Sequence, residues 1–143
     1  LGFSFKANTN DTRESAAISI CKNLLNEGAN LLIHDPKVTA CQIENDLNIK
    51  STKSLKNYNT SFDKKSGVWE YTKSIDDIAI FNNSYAVLIL TEWEEFRNLN
   101  WTEISKKMVP PAWVFDSRSI INTQAVKDAG LNLWRIGDGL GDK

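Results

Sequence analysis

Apolar and polar positions alternate at the very start of the chain. In LGFSFKANTNDTRES, Leu1, Phe3 and Phe5 interleave with Gly2, Ser4 and Lys6, which predicts a short strand delivering a lysine to the rim of a sheet. Asn8, Thr9, Asn10 and Asp11 form a turn-rich loop. Asp11 or Thr12 can cap the next helix, with Glu14 or Ser15 three residues on, so the helix is expected to start near Arg13. Ala16, Ala17, Ile20, Cys21, Leu24 and Leu25 then recur at helical spacing. Gly28 stands where a left-handed C-terminal cap belongs, giving a helix to about Glu27.

Leu31, Leu32 and Ile33 are continuously apolar, which suits a strand buried on both faces and ended by Pro36. Residues from about Thr39 to Asp46 predict a short helix around Ile43 and Leu47. The Ser-, Lys- and Asn-rich stretch from Ser51 to Ser66 reads as an exposed insertion, and Val68 to Tyr71 as a short strand, placed at an edge. Ser74 is a cap candidate for a helix that turns Ile75, Ile78, Ala79 and Phe81 inward. Tyr85 to Leu90 is the most apolar run and is expected as a central strand. Trp93, Phe96, Leu99, Trp101, Ile104 and Met108 space out as one or two short helices stopped by Pro110 and Pro111, their tryptophans read as core or interface aromatics. A strand from Ala112 to Phe115 ends at Asp116-Ser117-Arg118. A helix holding Ala125 and Val126 stops at Gly130, and Leu131, Leu133 and Ile136 form the last strand. Gly137, Gly139 and Gly141 precede no helix, so they are a frayed tail rather than a nucleotide loop.

Alternating strands and helices define an α/β fold, an open, mostly parallel, Rossmann-like sheet with helices on both faces. At 143 residues and 41% hydrophobic content the chain is expected to form one domain over residues 1–143. A net charge of −1 argues against nucleic acid or an anionic membrane as partner, so any phosphate binding must be local. No apolar run approaches the roughly 20 residues of a membrane span, and the expected location is cytoplasmic. Cys21 and Cys41 make neither a disulfide scaffold nor a metal motif, and Cys21 reads as a small core residue. With His34 as the one histidine, a His cluster for zinc is excluded, and His34 reads as structural. The chain begins without methionine, in mid-strand, and reads as a fragment of a longer polypeptide.

Open parallel sheets bind ligands at the carboxyl ends of their strands. Two such loops carry basic residues, one with Lys6 and Arg13, the other with Arg118. A helix N-terminus behind Lys6 and Arg13 favours an anion such as a pyrophosphate, and if the two strands are neighbours the basic side chains converge on one crevice. An arginine fork suits a nucleotide diphosphate. The plainer reading makes these residues solvated surface, with Asp116 and Arg118 an ordinary surface ion pair.

GFSFKANTNDTRES also resembles the opening of the C-terminal domain of UDP-glucose 6-dehydrogenases, an NAD-dependent family, in its animal and plant form. The resemblance covers nearly the whole chain, returning at Asp35-Pro36-Lys37-Val38, Thr91-Glu92-Trp93, Pro111-Ala112 and Phe115-Asp116-Ser117-Arg118; the first and last blocks are the specific ones. It implies that Phe5, Lys6 and Arg118 contact the UDP-sugar and that Arg13 contacts NAD. It also implies an N-terminal NAD-binding domain as partner and a homo-oligomeric full-length enzyme that converts UDP-glucose to UDP-glucuronate. Ser119 departs from the Asn or Arg usual after the arginine, which touches a minor contact. The family's glycine-flanked catalytic cysteine, catalytic lysine and dinucleotide loop have no counterpart here, so no catalytic residue is assigned and the fragment alone is expected to be inactive. A sister enzyme acting on another nucleotide sugar, and a non-catalytic interaction module that binds a partner through the helices around Trp93 and Trp101, are the alternatives.

Overall fold

The structure is a computed structural model and describes residues 1–52 and 66–138. The expected insertion after Ser51 and the end of the glycine tail therefore lie largely outside the described residues. Two compact units emerge, Gly2–Ser74 and Leu1 with Ile75–Lys143. Each carries an open sheet, and every strand pairing among the described residues is parallel.

In the first unit, α1 (Ala16–Asn26) leads to β1 (Leu31–Ile33), α2 (Ala40–Leu47) and β2 (Trp69–Tyr71). The strands β1 and β2 pair in the register Leu31 with Trp69 to Ile33 with Tyr71. α1 closes as expected at Gly28, whose φ of 86° lets its N–H reach the Leu25 carbonyl while Ala29 N–H reaches Leu24. Its start, at Ala16, is three residues later than the expected Arg13. Glu14 takes a left-handed φ of 60°, Ser15 N–H turns back to the Thr12 carbonyl, and Ser15 rather than Asp11 or Thr12 is the cap, accepting from Ala17. α2 begins one residue inside its expected Thr39 boundary because Thr39 is itself the cap. The core joins Phe3, Leu25, Ile33, Val38, Ile43, Leu47 and Trp69. Trp69 buries its whole ring and donates its indole N–H to the Ile49 carbonyl at 2.9 Å. β1 is not buried on both faces, since Leu32 remains exposed.

In the second unit a short 3₁₀ helix (Ile78–Phe81) is capped by Asp77, not Ser74. It precedes β3 (Ala86–Ile89), α3 (Glu94–Arg97), α4 (Trp101–Ser105), β4 (Trp113–Asp116), α5 (Thr123–Asp128) and β5 (Asn132–Arg135). The order β3-β4-β5 follows the chain, so the middle strand is β4 and the expected central strand, β3, flanks it. Leu1 meets the outer edge of β3, its amino group donating to the Leu88 carbonyl and its carbonyl accepting from Leu90 N–H. Val87, Ile89 and Val114 are buried on one face, and Trp113, Phe115 and Trp134 share the other, with ring centroids 5.7 and 6.3 Å apart. Trp93 and Trp101 belong to the core, being 6% and 2% exposed. α5 ends at Gly130, φ 75°, with the paired Gly130-to-Lys127 and Leu131-to-Val126 bonds of a left-handed cap.

Candidate functional site

The opening segment is not a strand. Gly2, at φ 86°, turns the chain and gives its N–H to the His34 carbonyl. The next two N–H groups, which a strand would spend on a neighbour, go instead to one carboxylate. Asp35 Oδ2 accepts from Phe3 N–H at 2.8 Å, Ser4 N–H at 2.9 Å and the Ser4 hydroxyl at 3.0 Å. Oδ1 accepts from Lys37 and Val38 N–H, each at 2.9 Å. Asp35 is wholly buried. Burial alone would raise its pKa, but the four backbone donors outweigh it and hold the carboxyl below the usual range.

The rest of the loop is tied to the same frame. Ser15 Oγ donates to the Phe3 carbonyl at 2.8 Å, Phe5 N–H to the Asp11 carbonyl at 2.7 Å, and the Gln42 amide, on α2, to the Asn10 carbonyl and the Thr12 hydroxyl. Phe3 and Ser4 are thereby fully buried. Phe5, 47% exposed, and Lys6 are held at the surface side by side, which breaks the expected alternation.

Arg13 lies on the same loop, but its fork is occupied. Nε and Nη2 grip Asp11 at 3.0 and 2.7 Å, an arrangement that lowers the Asp11 pKa to about 2 and raises that of Arg13. The Arg13 side chain is 88% exposed and that of Asp11 35%, so solvent screens the pair and it orients the guanidinium more than it stabilises the fold.

Arg118 belongs to the other unit, on the loop that leaves β4. Asp116 is not its surface partner: the carboxylate is buried and accepts backbone N–H groups, from Arg118 at 3.1 Å on Oδ1 and from Ile120 and Ile121 at 2.9 and 3.0 Å on Oδ2. The guanidinium turns to β3 instead. Its Nε donates to the Leu90 carbonyl at 2.9 Å and lies 3.5 Å from Glu92 Oε2. Ser117 fastens the loop by donating its hydroxyl to the Ile89 carbonyl at 2.7 Å. Ser119 is left-handed, φ 56°, and donates to the Ile136 carbonyl.

Sequence reasoning located the basic residues and missed the groups that hold them: Asp35, Asp116, Ser4 and Glu92. One signal was available. Asp35 and Asp116 each stand at or just past the end of an apolar strand with a basic residue two positions on, a spacing at which an aspartate accepts the N–H of the i+2 residue. His34 is structural as expected, 2% exposed, its Nδ1 3.0 Å from the Thr72 carbonyl. Cys21 is buried, and burial pushes its thiol up to about 11. Among the described residues no helix is long and apolar enough to cross a membrane.

The sequence was compared with known proteins. Residues 1–123 match the model of the UDP-glucose/GDP-mannose dehydrogenase family, UDP binding domain. The chain is 38% identical to UDP-glucose 6-dehydrogenase 2 of Arabidopsis thaliana over 142 residues, 99% of this chain and 30% of the relative. It is 39% identical to the UDP-glucose 6-dehydrogenase of Drosophila melanogaster over 138 residues, 96% and 27% of the two, and 37% identical to that of Caenorhabditis elegans over 137 residues, 95% and 26%. The chain thus spans under a third of the length of these relatives.

Proposed function

Since the chain belongs to the UDP-glucose/GDP-mannose dehydrogenase family, we propose that its 143 residues serve as the UDP-sugar-binding domain of an NAD-dependent UDP-glucose 6-dehydrogenase, which oxidises UDP-glucose to UDP-glucuronate in two steps. The observation that carries this reading is the Phe5-Lys6 pair. A loop that satisfies its own backbone through Asp35 and Asp11 leaves an apolar ring and an ammonium exposed next to one another. A ligand with a flat or apolar ring and an anionic diphosphate matches both. Arg118 is the second anion contact; with Nε anchored to Leu90 and Glu92, its fork is oriented before a ligand arrives, which reduces the entropy lost on binding.

NAD, bound in the rest of the enzyme, supplies the hydride acceptor. Arg13 suits an outer contact to an anionic group of that cofactor, being a surface guanidinium steadied by Asp11, and it builds no pocket of its own. The chemistry belongs to residues beyond these 143, including an N-terminal NAD-binding domain, and the full enzyme is a cytoplasmic homo-oligomer.

Titration of the protein with UDP, followed by amide NMR, tests the reading. Lys6→Ala and Arg118→Ala are each expected to weaken binding by about 1.5–3 kcal/mol, the worth of a charge-assisted hydrogen bond. Unchanged affinity in both variants refutes it.

A further inference from the structure

The Ser4 hydroxyl does more than fill space. Fully buried, it lies 3.0 Å from Asp35 Oδ2 and 3.0 Å from the carbonyl oxygen of Lys6, and its single proton is shared between these two acceptors, so one side chain joins the buried carboxylate to the peptide of the residue that is displayed. We infer that Ser4 and Asp35 form a latch that positions Lys6 for the diphosphate of the nucleotide sugar, making Ser4 a positioning residue for that substrate. The inference rests on the proposed role of Lys6.

Three features lead there. Lysine is a flexible stem whose charge is useful only if its base is fixed, and each rotatable bond left loose costs affinity on binding. Here the base is fixed from both sides, by Phe3 and Ser4 N–H on Asp35 and by the Ser4 hydroxyl on the Lys6 carbonyl. Secondly, the anchor is an anion close to where another anion must bind. Four backbone N–H groups meet its two oxygens, so the carboxylate is held within the protein by peptide groups and the single Ser4 hydroxyl proton can be shared with the Lys6 carbonyl. Thirdly, the same carboxylate holds Lys37 and Val38 N–H, so the loop before α1 and the loop after β1 share one fixed point and cannot drift apart.

The test compares Ser4→Ala, Lys6→Ala and the double variant in the full-length enzyme, reading KM for UDP-glucose, KM for NAD and kcat. Ser4→Ala deletes the hydroxyl with little change in volume, so it keeps the question answerable even where Asp35→Asn fails to fold. The latch requires that Ser4→Ala raise KM for UDP-glucose about three- to tenfold, the loss of one hydrogen bond, with KM for NAD and kcat unchanged. It also requires that Ser4→Ala add nothing once Lys6 is alanine. An unchanged UDP-glucose KM in Ser4→Ala, a parallel rise of both KM values, or independent multiplication of the Ser4 and Lys6 effects overturns the latch while Lys6→Ala still reports a binding lysine. If Lys6→Ala itself leaves the UDP-glucose KM unchanged, the parent reading fails and the latch with it.

Discussion

Replacing Asp116 by asparagine separates the carboxylate from the shape of the side chain. Asp116 is fully buried and accepts three backbone N–H groups, Arg118 on one oxygen and Ile120 with Ile121 on the other. Asparagine keeps one carbonyl oxygen. Its best placement turns that oxygen to Ile120 and Ile121 and leaves the amide NH₂ facing the Arg118 N–H, donor against donor. Two bonds lose their charge assistance, about 0.5–1.5 kcal/mol each, and one buried N–H loses its acceptor, about 1–3 kcal/mol. Relief from burying a charge returns part of this. The net cost is about 2–4 kcal/mol, in the range expected for breaking a buried hydrogen-bond network. Urea unfolding followed by tryptophan fluorescence measures it, with Trp93, Trp101, Trp113 and Trp134 all in the unit that Asp116 organises. At a typical slope of about 1–2 kcal/mol per molar urea, the midpoint falls by roughly 1–4 M with the slope unchanged. A cost below about 1 kcal/mol would mean that the three donors find water or another acceptor, and that the Asp116 carboxylate is not what holds the Arg118 loop.

Asp35 gives a pH dependence of defined sign. Its folded pKa lies below the unfolded value of about 3.9, so its contribution is present above that pH and is lost as pH falls through the folded pKa; urea midpoints taken from pH 7 downward should drop below about pH 4, and parallel profiles for the wild type and Asp35→Asn would contradict this. A Cβ on Gly67 would lie 1.8 Å from the Ala29 carbonyl oxygen, a backbone atom that cannot step aside. Gly67→Ala should therefore cost more than about 2 kcal/mol, measured by the same unfolding experiment, and a neutral result would place Gly67 elsewhere. Cys41 is exposed whereas the Cys21 thiol is buried and held up to about 11. Iodoacetamide at pH 8, read by peptide mass spectrometry, should alkylate Cys41 in minutes and Cys21 only on unfolding; equal rates would refute the burial of Cys21.

Elements whose signals are local were legible in the sequence. Gly28 and Gly130 end their helices through φ values that other residues reach only at a cost, and Thr39 caps α2 with its own side chain, so nothing distant decides these points. Where a distant group captures the backbone, the local signal misleads. The alternation of Leu1, Phe3 and Phe5 reads as a strand, yet Phe3 and Ser4 N–H are taken by Asp35, more than thirty residues away in the chain. The same holds for the start of α1, which Ser15 wins because its hydroxyl also reaches the Phe3 carbonyl. Periodicity likewise marks β3 as buried but carries no information on strand order, which is set by pairing. Of the candidate site, the basic residues were legible because charge on a strand-end loop is visible in sequence; their supports were not, because a buried aspartate and a solvated one are spelled alike.

The two supports follow one design. Just past β1 and at the last residue of β4 an aspartate is buried, and in both places it accepts the N–H of the residue two positions on, Lys37 in one loop and Arg118 in the other. Neither carboxylate is neutralised by a cationic side chain in these bonds; backbone N–H groups do it, and these carry only partial charge. That choice matters for a family that binds anions. A carboxylate paired to Lys6 or Arg118 would have to be displaced by phosphate, and the ligand would gain only the difference between two ion pairs. With the aspartates satisfied by peptide groups, neither draws on the charge of these cations while the loops that carry them are fixed. Asp11 feels the Lys6 charge, and Glu92 lies 3.5 Å from Arg118 Nε. Glu92 engages the same nitrogen that the Leu90 carbonyl holds, so it reinforces the orientation of the guanidinium from the edge that is already anchored. Loops held by their own peptide groups thus follow from where the aspartate lone pairs go, a property written in the burial of Asp35 and Asp116.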